Sequence, residues 1–318
     1  MGEKSIIITG NNGFVGSNLS MYIKGKKIIG VSRRPKENEV NYEQLNITLL
    51  NSTEAFIHLA GKAHDLKNTY EEQEYFNINT ELTKRLFNLF LESDCEVFVY
   101  MSSVKAISDS LDVILKENKS PNPQTAYGKS KLAAESYILS KKTSIDKRVY
   151  ILRPCMIHGP NNKGNLNLLY TLVSKRIPWV LGLYENKRSY CSIDNLSFII
   201  NELIINKKIP TGIYNVADDL PLSTNQVIGL ISKSVNSNPL IWKTPKILIK
   251  YLAILGDKIY LPLNSERLKK LTESYVVCNK KIVQAIDKNL PTSSEKGLLK
   301  TFESFKKEKF NIILDSKM

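Results

Sequence analysis

The chain has 318 residues, enough to bury a large core as one α/β domain or as two joined lobes. Cys95, Cys155, Cys191 and Cys278 are scattered without a Cys-x-x-Cys pair, and His58, His64 and His158 have no ligand spacing, which argues against a metal and a disulfide framework and for a reducing cytoplasm. The net charge of +14 favours anionic partners, but the lysines run along the whole chain, densest at Lys306, Lys307 and Lys309, so the excess reads as a solvated basic surface without a nucleic-acid partner.

The first element is an apolar strand from Ile6 that runs into Gly10, Gly13 and Gly16 and then a helix. This order makes a dinucleotide cradle: the backbone must turn tightly and approach a pyrophosphate closely, and the helix N-terminus then offers unpaired N–H groups to the anion. The Gly-x-x-Gly-x-x-Gly spacing departs from the Gly-x-Gly-x-x-Gly of ordinary dehydrogenases. Further strands are predicted at 27–32, 55–60, 97–103 and 149–153, and a helix over 68–93 with Tyr75, Ile78, Leu82, Leu86, Leu89 and Phe90 on one face. This alternation implies a parallel sheet with crossover helices.

After Gly159 the pattern loosens into turns and shorter helices. We therefore divide the chain into a dinucleotide-binding domain, 1–160, and a mainly substrate-binding lobe, 161–318, with some segments of the latter returning to the first sheet. The site is expected in the cleft at the carboxyl ends of the strands. No leader is apparent and no stretch is long and apolar enough to span a membrane. Residues 246–255 come closest, and Lys250 breaks them, so they read as an amphipathic helix on the core without a membrane partner.

The strand from Val97 ends in Ser102 and Ser103, and Tyr127 and Lys131 follow about two dozen residues on. Residues four apart on a helix share one face, so the Lys131 ammonium can sit near the Tyr127 phenol. A phenol titrates at about 10, and a nearby cation lowers that value toward neutrality. Ser103 can hydrogen-bond the same substrate oxygen.

On these residues the chain resembles the extended short-chain dehydrogenase/reductase superfamily, in its nucleotide-sugar epimerase, dehydratase and reductase branch. The resemblance also includes His58-Leu59-Ala60-Gly61, Asn79, Leu152-Arg153-Pro154, Gly159-Pro160, Gly164-Asn165, the segment from Arg188 to Asn195, and Gly212 to Val216. It implies an α/β fold, a Rossmann-type doubly wound parallel sheet with a smaller mixed C-terminal substrate lobe. It implies cofactor contacts from Gly10, Asn12, Gly13, Phe14, Val15, Gly16, Leu59, Ala60, Gly61, Asn79, Tyr127, Lys131 and Pro154. Catalysis falls to Ser103, Tyr127 and Lys131, and a UDP-sugar substrate to Ser103, Lys105, Asn165, Arg188 and Arg267. Arginine suits the diphosphate because its planar fork grips paired oxygens. A homodimer through helices of the first lobe also follows from the resemblance.

Dehydratases of this branch carry an acidic pair where Val104 and Lys105 stand, so dehydration is not expected. Epimerases carry Thr in place of Lys105 and Asn in place of Met156, and both departures point toward reductases of 4-keto-6-deoxy sugars. At the second strand's end Ser32, Arg33 and Arg34 replace the acid that NAD sites use for the ribose, which favours NADP(H) over NAD(H). The sequence thus leads to reduction of the C4 ketone of a UDP-linked 6-deoxy or N-acetylated hexose for surface polysaccharide. An NAD-dependent UDP-hexose 4-epimerase and a non-catalytic cofactor-sensing or nucleic-acid-binding protein stay open as alternatives. The sugar itself is decided in loops such as 105–125 and 181–187, where one sequence carries no code.

Overall fold

The opening apolar run forms β1 (Ser5–Thr9), all of it buried. A strand covered on both faces has no polar face, so it reads as a continuous run of isoleucines rather than an alternation. This computed structural model describes residues 4–37, 39–62, 71–162, 164–259 and 264–315, with side chains of the last helix described as far as Lys306. After α1 (Phe14–Tyr22) come β2 (Ile28–Val31), β3 (Glu39–Val40), α2 (Ile47–Asn51) and β4 (Thr53–His58). Then follow α3 (Glu72–Phe76), α4 (Leu82–Glu92), β5 (Val97–Met101), α5 (Ala126–Ser140) and β6 (Arg148–Pro154).

The strands β7 (Met156–His158) and β8 (Tyr190–Ser192) pair separately, flanking α6 (Asn165–Ser174). After α7 (Ile193–Ile205), β9 (Gly212–Val216) returns to the main sheet. The remaining helices are α8 (Thr224–Ser234), α9 (Lys246–Ile259), α10 (Ser265–Thr272), α11 (Lys280–Ile286) and α12 (Ser294–Asp315).

The main sheet has seven parallel strands in the order β3-β2-β1-β4-β5-β6-β9. Chain order reverses between β1 and β4, and the crevice at that switch point is where such a sheet takes a ligand. Alternate side chains of each strand face opposite layers. Ile6, Ile8, Val97 and Val99 pack with Leu19 of α1 and Leu196 and Ile200 of α7, whereas Ile7, Phe56 and Phe98 pack with Phe87 and Phe90 of α4 and Ala134 of α5. A further core joins Leu166 and Tyr170 of α6, Ile228 of α8 and Leu298 and Phe302 of α12.

Three strands, β2, β4 and β5, stop short of their expected ends, while β6 runs one residue past its own. Ser32, Leu59 and Ala60, and Ser102 and Ser103 all lie beyond the last paired residue of their strands, because there the chain leaves the ladder to build loops at the carboxyl edge. The helix expected over 68–93 is interrupted by a π-helical turn, Asn77–Glu81, of the kind common at functional sites. Its wider turn shifts the buried face: Asn79, Thr80 and Thr83 go inside with Leu86, Phe87 and Phe90, while Ile78, Leu82 and Leu89 are only partly covered. Residues 68–70 and His64 lie outside the described residues.

The helix expected over 246–255 forms as α9 and sits on the core through Ile249 and Ala253, with Gly256 also buried. Among the described residues, no helix is long and apolar enough to cross a membrane.

Candidate active site

The glycine loop has the shape its sequence requires. Gly10 has φ +69°, and a Cβ there would stand 2.9 Å from the backbone nitrogen of Ala60. A side chain on Gly16 would overlap the Gly10 carbonyl, so helix α1 packs directly on the turn. Gly13 caps α1, with its N–H donated to Gly10 O at 2.9 Å. Phe14 and Val15, in the first turn, pack on the sheet core beside Leu59. These positions leave a bare backbone cradle that fits a dinucleotide pyrophosphate.

Beneath the cradle lies a buried polar set. Thr9 Oγ1 accepts from Ala60 N–H at 3.1 Å and meets His58 Nδ1 at 2.7 Å, while His58 Nε2 meets Thr83 Oγ1 at 2.9 Å. Burial, with a smaller effect of the Lys131 charge, pushes His58 down to about 3, so the ring is neutral and serves as a bridge between two hydroxyls.

At the end of β2 the structure holds an acid that sequence reasoning missed. Glu39 accepts from Asn11 Nδ2 at 3.2 Å, Asn12 Nδ2 at 2.9 Å, Ser32 Oγ at 3.2 Å and Lys36 N–H at 2.9 Å. Burial raises its pKa, but these donors outweigh burial and hold the carboxyl below its ordinary value. A carboxylate therefore stands beside Ser32, where only Ser32, Arg33 and Arg34 were expected. Both arginines are exposed. The acid lies on a two-residue strand, too short to show periodicity in the sequence.

Across the crevice, Asn79 and Lys131 converge over Gly61: Asn79 Oδ1 and Lys131 Nζ both lie 3.0 Å from the point a Gly61 Cβ would occupy. Asn79 is fixed by Lys62 N–H, donated to its Oδ1 at 2.7 Å, and by its own Nδ2, which donates to Lys62 O at 3.1 Å and Ser130 Oγ at 3.0 Å. Pro154 is the buried last residue of β6, at the carboxyl edge of the sheet.

Tyr127 enters in the first turn of α5, which Thr125 caps by accepting from Gly128 N–H at 3.2 Å. Its ring meets Tyr75 edge-on at 6.3 Å, and its phenol is hydrogen-bonded to Ser103. Burial pushes the phenol above its ordinary value and the Ser103 bond only partly offsets this. Burial outweighs the expected lowering by Lys131, whose ammonium donates to Met101 O at 2.7 Å and lies 5.0 Å from the Tyr100 ring centroid. Tyr127 is thus a proton donor in this state rather than a phenolate.

Burial lowers Lys131 to about 8, with Glu135 one turn on opposing the shift. Below that pH both folded and unfolded chains carry the proton. Between about 8 and the ordinary 10.5 the unfolded chain binds more, so stability contributed through this group rises with pH. We expect Lys131→Met to remove that rise in denaturant titrations run across the same pH range.

Under the pair lies a second feature missed in the sequence. Arg153 Nε donates to Glu135 Oε1 at 3.0 Å and its Nη2 to Oε2 at 2.5 Å, with the two side chains 4% and 1% exposed. Ser102 Oγ also donates to Glu135 Oε1. The available signal was the four-residue step from Lys131 to Glu135.

On the other side of Ser103, Lys105 donates from its backbone to Ser103 Oγ at 3.2 Å and from Nζ to Asp109 O at 2.7 Å. Its ammonium lies 4.6 Å from the centroid of Tyr275, and burial lowers its pKa. Tyr275 donates to Ser108 O at 2.7 Å and pairs by backbone with Arg188. The Arg188 guanidinium donates to Lys270 O in α10, and Arg267 is exposed one turn earlier on that helix. Ser103, Lys105, Arg188 and Arg267 therefore follow one another along a basic path, with Asn165 on a different element, exposed at the start of α6. Among the described residues no cluster could hold a metal ion.

A parallel sheet with this crossover order, a glycine cradle at its switch point and a Ser-Tyr-Lys set at the carboxyl edge define a dinucleotide-dependent enzyme of the short-chain dehydrogenase/reductase superfamily. The chain belongs to the NAD dependent epimerase/dehydratase family, whose model matches residues 6–217. It is 31% identical over 242 residues to a UDP-glucose 4-epimerase of Vibrio cholerae, a match covering 71% of this chain and 74% of that one. Among solved structures, MoeE5 in complex with UDP-glucose and NAD superposes with a TM-score of 0.72 at 19% identity, over 96% of this chain and 99% of its own. The human epimerase family protein SDR39U1 with NADPH gives 0.72 at 15% identity, over 94% and 99%. At these identities the structures attest the fold, and between them they carry both dinucleotides.

Proposed function

We propose that the chain carries out redox chemistry at C4 of a UDP-linked hexose and completes it as a 4-epimerisation. The observation that carries the C4 redox step is the hydrogen-bonded Ser103–Tyr127 pair next to Lys131 at the carboxyl edge of the sheet. When bound, the dinucleotide supplies the hydride acceptor and donor. Gly10, Gly13 and Gly16 would hold its pyrophosphate, Ser32 and Glu39 the adenosine ribose, and Asn79 and Lys131 the nicotinamide ribose. Tyr127, protonated in the chain alone, must first release that proton to solvent; as the phenolate it takes the proton of the sugar O4 hydroxyl as the ketone forms and returns it when the ketone is reduced, with Ser103 holding the same oxygen. Lys131 lends positive charge to the site while the phenol is deprotonated.

Two observations support epimerisation. The Vibrio relative bears that name. Glu39 offers a carboxylate to ribose hydroxyls and repels a 2′-phosphate, which suits a retained NAD. The second reading is a 4-keto-reductase using NADPH, favoured by Lys105 and Met156 and by the exposed Arg33 and Arg34. The intact Tyr127 and Lys131 count against a non-catalytic role.

The deciding experiment extracts the nucleotide from gently purified protein and incubates the protein with UDP-hexoses and UDP-N-acetylhexoses without added cofactor. Retained NAD with interconversion at C4 supports the epimerase. Release of the nucleotide, with NADPH consumed only when a 4-keto sugar nucleotide is supplied, overturns it in favour of the reductase. In either case Arg188→Ala should weaken UDP binding by roughly 1.5–3 kcal/mol, the worth of a charge-assisted hydrogen bond. Calorimetry with free UDP checks this, and unchanged affinity would move the diphosphate site off Arg188.

A further inference from the structure

Helix α9 carries more apolar surface than closing a core requires. Its buried seam is Ile249, Ala253 and Gly256, all of them on one narrow stripe. The opposite arc carries Ile247, Leu248, Tyr251, Leu252, Ile254 and Leu255, which are between 42% and 70% exposed. At 100° per residue these six span one continuous outward face. Trp242, 57% exposed, stands just before the helix. A contiguous apolar face of this kind marks a docking surface.

The charges around this face identify what covers it. Lys246 and Lys250 lie along one edge of the apolar arc, Lys258 lies within it at the C-terminal end, and Lys243 adjoins Trp242. The helix has one acid, Asp257, and both its oxygens are engaged by Ser265, at 3.0 Å from N–H and 2.5 Å from Oγ. The patch is therefore apolar in the middle and cationic at its margin, on a chain of net charge +14. A second copy would bring the same lysines against these. An anionic lipid surface meets both features: apolar side chains enter the boundary between headgroups and acyl chains, lysines reach anionic headgroups, and Trp and Tyr favour that depth.

We propose that α9 is an interfacial helix that docks the protein reversibly on an anionic membrane surface. Because α9 packs against α10, whose Lys270 carbonyl holds Arg188, docking sets the substrate lobe beside the bilayer.

The test uses the full chain and floated vesicles, either of phosphatidylcholine alone or of phosphatidylcholine and phosphatidylglycerol in equal parts. The protein should float with the anionic vesicles, do so at least about tenfold less well with the neutral ones, and lose binding as salt rises. The exposed pair Tyr251→Glu and Leu255→Glu should lower binding to anionic vesicles by at least about tenfold while leaving the circular dichroism spectrum unchanged. Lys246→Gln with Lys250→Gln should act in the same direction, and a melting temperature equal to that of the unmodified chain shows that neither pair acts through unfolding. No flotation with anionic vesicles at low salt overturns the proposal. So does flotation that the Glu pair leaves intact, or a concentration-dependent dimer in light scattering that the Glu pair dissolves.

Discussion

Replacing Tyr127 by Phe should lower turnover on the order of 10²–10⁴-fold, the usual worth of a positioned general acid or base. The substitution removes one oxygen from a ring that is held by Tyr75 and by the first turn of α5, so the helix and its Thr125 cap are untouched. Ser103 loses a hydrogen-bond partner but keeps the donation from Lys105 N–H. Nucleotide affinity and melting temperature should therefore stay close to those of the unmodified chain while the rate collapses. Burial holds this phenol above its ordinary value, and the same oxygen must both take and return the O4 proton, so its loss should slow ketone formation and ketone reduction alike. Single-turnover rates in both directions, with nucleotide affinity measured in parallel, check the prediction. A Phe variant that turns over at near the normal rate removes Tyr127 from the chemistry.

Much of the architecture could be read because it rests on local rules. The buried strands of a parallel sheet announce themselves as apolar runs, and Gly10 and Gly16 stand where a Cβ has no room. Tyr127 and Lys131 share a helix face by spacing alone. What stayed hidden depends on contacts between distant segments. Glu39 joins Asn11, Asn12 and Ser32 because β2 and β3 pair in parallel, and no local pattern marks a two-residue strand. The tilt of the helical region after Glu72 changed because a single π-helical turn advances the face, an insertion that 3.6-residue counting cannot see. The phenol's direction of shift was misjudged for a related reason. Helical spacing sets Lys131 on the face of Tyr127, but the burial that raises the phenol comes from other segments of the fold. On α9 the apolar pattern shows a helix that reaches the core, but hydrophobicity does not tell how narrow the seam that meets the protein is.

The largest loss of stability from a single change near the site should come from Glu135→Ala. Arg153 is 4% exposed and depends on Glu135 for three of its hydrogen bonds, at 3.0, 3.1 and 2.5 Å. Removing the carboxylate leaves a guanidinium in the protein interior with, among the described residues, only the Glu117 carbonyl, at 3.4 Å, and strips Ser102 of its acceptor. Breaking a buried pair in this way costs about 3–5 kcal/mol, because the surviving charge is neither solvated nor matched. The pair itself need not be strongly stabilising. Replacing both members by apolar residues, Glu135→Leu with Arg153→Met, should recover much of the loss, since the desolvation cost of the two charges disappears with them. The site should respond as well. Glu135 supports the charge on Lys131, so in the Ala variant Lys131 titrates below about 8 and the pH range in which the cation is present contracts from the alkaline side. Denaturant titrations of the single and double variants, with a pH profile of turnover, separate the two effects. A single variant less than about 1 kcal/mol below the unmodified chain would mean that Arg153 finds another partner or water, and that the pair beneath Ser102 is not what secures β6 to α5.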